Sequence, residues 1–149
     1  MNDEYFMNRA VGLAEEAAKE GEVPVGAVIV CDGIIVGTGR NRRELSKNAL
    51  AHAEIEAIDE ACRTLGGWRL WQCDMYVTLE PCPMCTGAII NSRIKRLVYG
   101  ASDYKAGSCG SVVNLFSLPY NHKPEVISGV MQEECSKLLS DFFKNLRKK

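Results

Sequence analysis

Apolar and small residues at Phe6, Ala10, Leu13, Ala14 and Ala17 recur at i, i+4, i+7, i+8 and i+11, with Glu15, Glu16, Lys19 and Glu20 between them. That spacing gathers the apolar set on one stripe and predicts an amphipathic helix, ended at Gly21. The period then changes. Residues 23–31 and 34–38 are β-branched runs joined by Asp32-Gly33, a dipeptide that supplies the positive φ angles of a two-residue hairpin turn. Residues 40–50 are polar and read as a loop, after which Ile55, Ile58, Cys62 and Leu65 return to helical spacing until Gly66-Gly67 stops it. Residues 75–79 predict a third strand. Pro81 and Pro83 bracket the start of the next helix, where proline's missing N–H costs nothing, and residues 84–92 continue it.

Residues 97–99 predict a fourth strand and 126–127 a short fifth, separated by a Gly-, Ser- and Asn-rich stretch at 101–121 with a short helix near 112–116. From Met131 onward Cys135, Leu138, Leu139, Phe142, Phe143 and Leu146 define a terminal helix, and Arg147-Lys148-Lys149 suit the negative end of its dipole. Strands alternating with helices imply crossover units, hence an α/β fold: a mixed sheet of about five strands with helices on both faces.

Composition narrows the class. With 149 residues, 46% hydrophobic and 25% charged, the chain has a globular balance and the length of one domain, expected to span residues 1–149. Seven cysteines cannot all pair within one chain, and Met1-Asn2-Asp3-Glu4 lacks the basic and apolar regions of a secretory signal, so a reducing cytoplasm is expected. No apolar run approaches the roughly 18 to 20 residues that span a bilayer. The longest, near 23–31, is interrupted by Pro24 and Gly26. Eighteen basic against 19 acidic residues give a net charge of −1, with no global pull toward phosphate. Any grip on a nucleic acid would be local, in Arg40-Arg42-Arg43, Arg93-Lys95-Arg96 or Lys144-Arg147-Lys148-Lys149.

The chemistry concentrates at two predicted helix starts, His52-Ala53-Glu54 and Pro81-Cys82-Pro83-Met84-Cys85. In crossover units helices begin where strands end, so both starts face the carboxyl edge of the sheet, where open α/β folds bind ligands. Cys82 and Cys85, at i and i+3, share one face of a first turn. His52 and Glu54 are about 200° apart in helical rotation and can converge only ahead of that turn. One His and two Cys suit a zinc ion and leave it one open position, the mark of a catalytic site. Glu54, not a ligand, is then placed to move protons. H-x-E followed by P-C-x-x-C is the recognised signature of zinc nucleobase deaminases, and it is complete here.

On these residues alone a small-molecule deaminase (guanine, cytosine or cytidine) and a non-catalytic zinc-stabilised interaction module stay open beside a deaminase acting on RNA. The other five cysteines read as small core hydrophobes, with Cys109, between Ser108 and Gly110, more exposed. His122 reads as a surface residue of a polar loop.

The flanking segments add a resemblance. Residues 22–28, Asn41, Ala51-His52-Ala53-Glu54, residues 76–82 and Ser140-Asp141-Phe142-Phe143 make the chain similar to the bacterial tRNA-specific adenosine deaminases over nearly its whole length. The resemblance implies a three-layer α/β/α cytidine-deaminase-like fold, a homodimer, and hydrolysis of the wobble adenosine of an arginine tRNA anticodon to inosine. It implies one Zn2+ per subunit on His52, Cys82 and Cys85, with Glu54 as proton shuttle. Asn41 would hydrogen-bond the flipped base and Val25 would line its pocket, although on the residues alone Asn41 equally serves as a turn stabiliser. Asp103 and Lys105 would lie beside the anticodon nucleotides, and Phe143 and Arg147 on a helix that touches the RNA. From the residues alone, Asp103 could equally cap a short helix.

Overall fold

The structure, a computed structural model, describes residues 2–147. The first amphipathic stripe forms α1 (Asp3–Lys19), opened by Asn2, whose side-chain oxygen accepts the Tyr5 N–H at 2.9 Å. The hairpin comprises β1 (Gly26–Cys31) and β2 (Ile34–Arg40), turned at Asp32 (φ 53°) and Gly33 (φ 77°). β1 begins later than its hydrophobic run because Pro24 has no N–H to donate and the Val25 N–H closes a tight turn on the Val23 carbonyl at 2.9 Å.

The expected loop at 40–50 contains a single helical turn, α2 (Arg43–Ser46). Its cause is distant in sequence: the buried carboxylate of Glu22 accepts the N–H groups of Glu44 and Leu45 at 3.1 and 2.8 Å. Next come α3 (Ala53–Leu65), capped by Gly66 at φ 73°, and β3 (Cys73–Leu79). They are followed by α4 (Pro83–Ser92), β4 (Arg96–Ala101), β5 (Glu125–Ser128) and α5 (Gln132–Arg147). The short helix expected near 112–116 is a 3-10 turn at Leu115–Ser117, set there by Asn114, whose side chain accepts the Phe116 N–H.

The five strands form one mixed sheet in the order β2-β1-β3-β4-β5. β1 is antiparallel to both neighbours, whereas β3, β4 and β5 are mutually parallel. Hence β2, β3, β4 and β5 all end at the edge where β1 begins. α3 follows β2 and α4 follows β3, so both helix starts lie on that edge, as the crossover argument requires.

Alternation along the strands builds the three layers. Ala27, Ile29, Met75, Val77 and Leu97 face one core with α3 and α4, while Val28, Val30, Tyr76 and Val98 face the other with α1 and α5. A Cβ at Gly39 would strike the backbone carbonyl of Ala53, so the glycine lets β2 touch the first turn of α3 and fixes where that helix begins. On the opposite face Arg96 holds Asp3 at 2.8 Å and Asp74 at 3.0 Å, tying the start of α1 to the sheet. No helix among the described residues is long and apolar enough to cross a membrane.

Candidate active site

His52 is the residue before α3 and has extended backbone angles (φ −89°, ψ 151°), so its ring turns off the helix tip, while Glu54 sits inside the first turn. Cys82 holds the same position before α4 (φ −74°, ψ 176°), with Pro83 opening the helix and Cys85 one turn further in. Two strand-to-helix junctions thus suffice to bring one nitrogen and two sulfurs together. The His52 Nδ1 lies 3.7 Å from the Cys82 sulfur and 3.6 Å from that of Cys85. Tetrahedral zinc with bonds of about 2.0 Å to nitrogen and 2.3 Å to sulfur requires an N-to-S separation of about 3.5 Å. The donor set therefore fits zinc in both chemistry and spacing, and it is the group of possible metal ligands found among the described residues.

Electrostatics single out Cys82 as the first thiolate of the set, while Cys85 and His52 give up their protons to a metal. The hydrogen bond from the Cys85 thiol and, against the cost of burial, that from His52 hold the Cys82 thiol down at about 4. Cys85 is pushed up, because the neighbouring Cys82 takes the first negative charge and burial penalises a second. The hydrogen bond to Cys82 raises His52. Glu54 is 3% exposed, and burial together with the charge of Cys82 lifts its carboxyl to about 7. An acid poised there can both take and give a proton near neutral pH.

These groups open into a cavity of about 190 Å³, lined by His52, Glu54 and Cys82 with Val25, Asn41, Arg43 and others. That is the liquid volume of about six waters, room for one flat heterocycle. A larger hollow of about 840 Å³ lies at the opposite end of the sheet, around Cys31, Trp71 and Lys95, and contains none of these groups.

Asn41 is held on both ends of its amide. Its oxygen accepts the Ala53 N–H at 3.0 Å and its nitrogen donates to the Val23 carbonyl at 3.2 Å, leaving one N–H and one lone pair for a ligand. Asp103 also lines the cavity, and its carboxylate accepts the N–H groups of Lys105 and Ala106 at 3.0 and 3.2 Å. Arg43, from the basic run at 40–43, also lines the cavity, as do Glu80 and Ala106, to which the sequence assigned no role. Glu80 reaches the cavity from the end of β3, directly before Pro81-Cys82, and Ala106 from the turn that the Asp103 carboxylate closes.

The family profile of the MafB19-like deaminases matches residues 1–147. The tRNA-specific adenosine deaminase of Bacillus subtilis (strain 168) is 50% identical over 148 residues, covering 99% of this chain and 92% of that one. The chain belongs to the tRNA-specific adenosine deaminase family. A solved structure from a study of A-to-I editing by tRNA:A34 deaminases at the wobble position matches with TM-score 0.88 and 46% identity, covering 91% of this chain and 99% of that one. A guanine deaminase from Bacillus subtilis is more distant, with TM-score 0.67 and 36% identity, covering 100% of this chain and 96% of that one.

In this member of the family, Lys105 is exposed and does not itself line the cavity, although Asp103 and Ala106 on either side do, and Phe143 is 40% exposed on α5. Phe142, Leu138 and Leu146 pack beside Ala18 and Gly21 at the end of α1, which places the end of α5, with Arg147, on the same edge as the site. Lys148 and Lys149 lie outside the described residues.

The other two basic runs are largely spent inside the fold. Arg40 pairs with Glu20 at 2.9 Å and Glu16 at 3.5 Å, Arg42 with Glu56 at 3.3 Å, and Arg96 with Asp3 and Asp74. Arg93 donates to the Ile90 carbonyl that ends its own helix. Arg43 and Lys95 remain, Arg43 exposed at the cavity and Lys95 exposed at the opposite end of the sheet. Contrary to expectation Cys109 is buried, its sulfur 3.3 Å from the Thr86 hydroxyl, because the loop carrying it folds back onto Pro81 and Glu80. With Cys73 and Cys135 it is pushed up to about 12 by burial, which keeps these thiols protonated. His122 is half-buried, its ring nitrogen 2.7 Å from the Ile94 carbonyl.

Proposed function

We propose that this chain, a single domain over residues 1–149, is a zinc-dependent hydrolase that converts adenosine to inosine at the wobble position of an arginine tRNA anticodon. His52, Cys82 and Cys85 would hold one Zn2+ per subunit. The observation that carries the reading is the triangle of donors with 3.6 and 3.7 Å edges, set beside a buried acid in a cavity sized for one base. Zinc bound there supplies Lewis acidity that brings the ionisation of water toward neutral pH.

Glu54 takes the proton that the attacking water gives up, passes it to the ring nitrogen next to the amine, and then protonates the departing nitrogen. The water oxygen ends on the base and ammonia leaves, so adenosine plus water becomes inosine plus ammonia. Val25 packs on the flipped base, and the free N–H and lone pair of Asn41 face its polar edge. Asp103 and Lys105 line the path of the flanking nucleotides. Phe143 and Arg147, with Lys144, offer an aromatic surface and cations to the anticodon stem-loop. An anticodon loop is already unpaired, which spares much of the cost of extruding a base.

A homodimer rests on the family resemblance, and the exposed apolar side chains of Leu50, Val112 and Val113 are available to it. Seven free cysteines support a reducing cytoplasm. The test is a comparison of inosine formation in an arginine tRNA anticodon stem-loop with ammonia release from free bases and nucleosides, alongside metal content. Turnover of guanine or cytidine without inosine in the RNA would replace this reading with a small-molecule deaminase. Bound zinc without turnover of either would make the chain an interaction module.

A further inference from the structure

Glu80 is 1% exposed, directly precedes Pro81-Cys82, and has no part in the chemistry described above. Both of its oxygens are filled by one segment. Oε1 accepts the Asp103 N–H at 3.0 Å and the Ser111 hydroxyl; Oε2 accepts the N–H groups of Cys109 and Ser111 at 3.0 and 3.1 Å. The held segment is itself closed into a tight turn. Besides the Asp103 carboxylate bonds to Lys105 and Ala106, the Gly107 N–H reaches the Asp103 carbonyl at 2.8 Å. The Ser108 N–H then reaches the Pro81 carbonyl at 2.9 Å, next to the ligand Cys82. At the tip of this turn Tyr104 is 82% exposed.

Gly107 is part of the same device. A Cβ there would overlap the Glu80 carboxylate and the Asp103 carbonyl. Only a residue without a side chain lets the turn sit this close to the acid.

We propose that Glu80 is a positioning residue, which clamps residues 103–107 as the substrate-facing wall of the cavity at a fixed height above Cys82. The proposal rests on the deaminase reading of the site, since it assigns the wall to RNA. A carboxylate is needed because its four partners are all donors, and an amide in its place must turn its own N–H groups toward at least one of them. A loop bound only by its own turn would sample several heights, and the cost would fall on binding more than on the chemical step.

The zinc-loaded Glu80→Gln protein tests this. Amide hydrogen exchange at Asp103, Cys109 and Ser111 is expected to quicken by about fivefold or more, with α3 unchanged. KM for the anticodon stem-loop should rise by about tenfold with kcat within about threefold and zinc content unaltered. Gly107→Ala, which presses on the same carboxylate from the other side, should reproduce the KM rise, and the double variant should be no worse than the worse single one. A lower melting temperature with unchanged KM in both variants would make Glu80 a scaffold residue only. A fall in kcat at constant KM would overturn positioning in favour of a role in the chemistry. If the unaltered protein makes no inosine, the deaminase reading fails, and unchanged exchange in Glu80→Gln would overturn the clamp separately.

Discussion

Replacing Glu54 by glutamine removes one ionisable oxygen and almost no volume from a side chain that is 3% exposed. Two consequences follow, and they have opposite signs. The proton shuttle is lost, and a single acid–base group is worth about 10²- to 10⁴-fold in rate. Glu54 is asked to move a proton more than once per turnover, so inosine formation should fall by at least the upper figure. The fold, by contrast, should gain above neutral pH. Moving the carboxyl from its ordinary 4.5 to about 7 means that its ionised form is disfavoured in the fold by about 3 kcal/mol.

Because the folded value lies above the unfolded one, this contribution is complete below about pH 4.5 and is lost as the pH rises through about 7. Metal-stripped Glu54→Gln should therefore match the parent at pH 4.5 and exceed its stability by about 3 kcal/mol at pH 8. Urea unfolding at the two pH values reads the difference, and inosine formation with zinc stoichiometry reads the rest. Activity retained to within tenfold would refute the shuttle. Identical pH dependence of stability in variant and parent would refute burial as the cause of the raised value.

Other outcomes are equally direct. Cys85→Ala should lose bound zinc and melt at a lower temperature, since the ligand set and the start of α4 share one turn; metal analysis and calorimetry check both. Gly39→Ala forces a Cβ against the Ala53 carbonyl and should cost about 1 to 3 kcal/mol in urea unfolding, with reduced activity because His52 is carried by the displaced turn. Deleting residues 144–149 removes four cations, Lys144, Arg147, Lys148 and Lys149. The salt slope of stem-loop binding should then shrink by up to about 3, at about 0.7 for each phosphate no longer neutralised. An unchanged slope would move the RNA path elsewhere.

Much of the fold was legible because its causes are local. The Asp32-Gly33 turn, the Gly66 stop and the Pro83 start each depend on backbone freedom at one or two residues, and each stands where the sequence puts it. The misplacements have causes far along the chain. α2 exists because Glu22 reaches Glu44 and Leu45. Cys109 reads as exposed between Ser108 and Gly110, yet it is buried because Glu80 and Pro81 draw its loop inward. The basic runs at 40–43 and 93–96 look free for phosphate, and only the packing of α1 and α3 shows that Arg40, Arg42 and Arg96 already have carboxylates.

By itself the sequence determined the order of elements and named the candidate ligands and the candidate proton shuttle, because periodicity, turn chemistry and the affinity of zinc for imidazole and thiolate are properties of residues and short spacings. Tertiary structure decided how those parts meet. Thirty residues separate His52 from Cys82, and only the reversal of β1 within an otherwise parallel sheet brings both helix starts to one edge. It also decided which charges are spent, how Asn41 is anchored, and that Glu80 holds the cavity wall, since burial and hydrogen-bond partners depend on neighbours that no local pattern names.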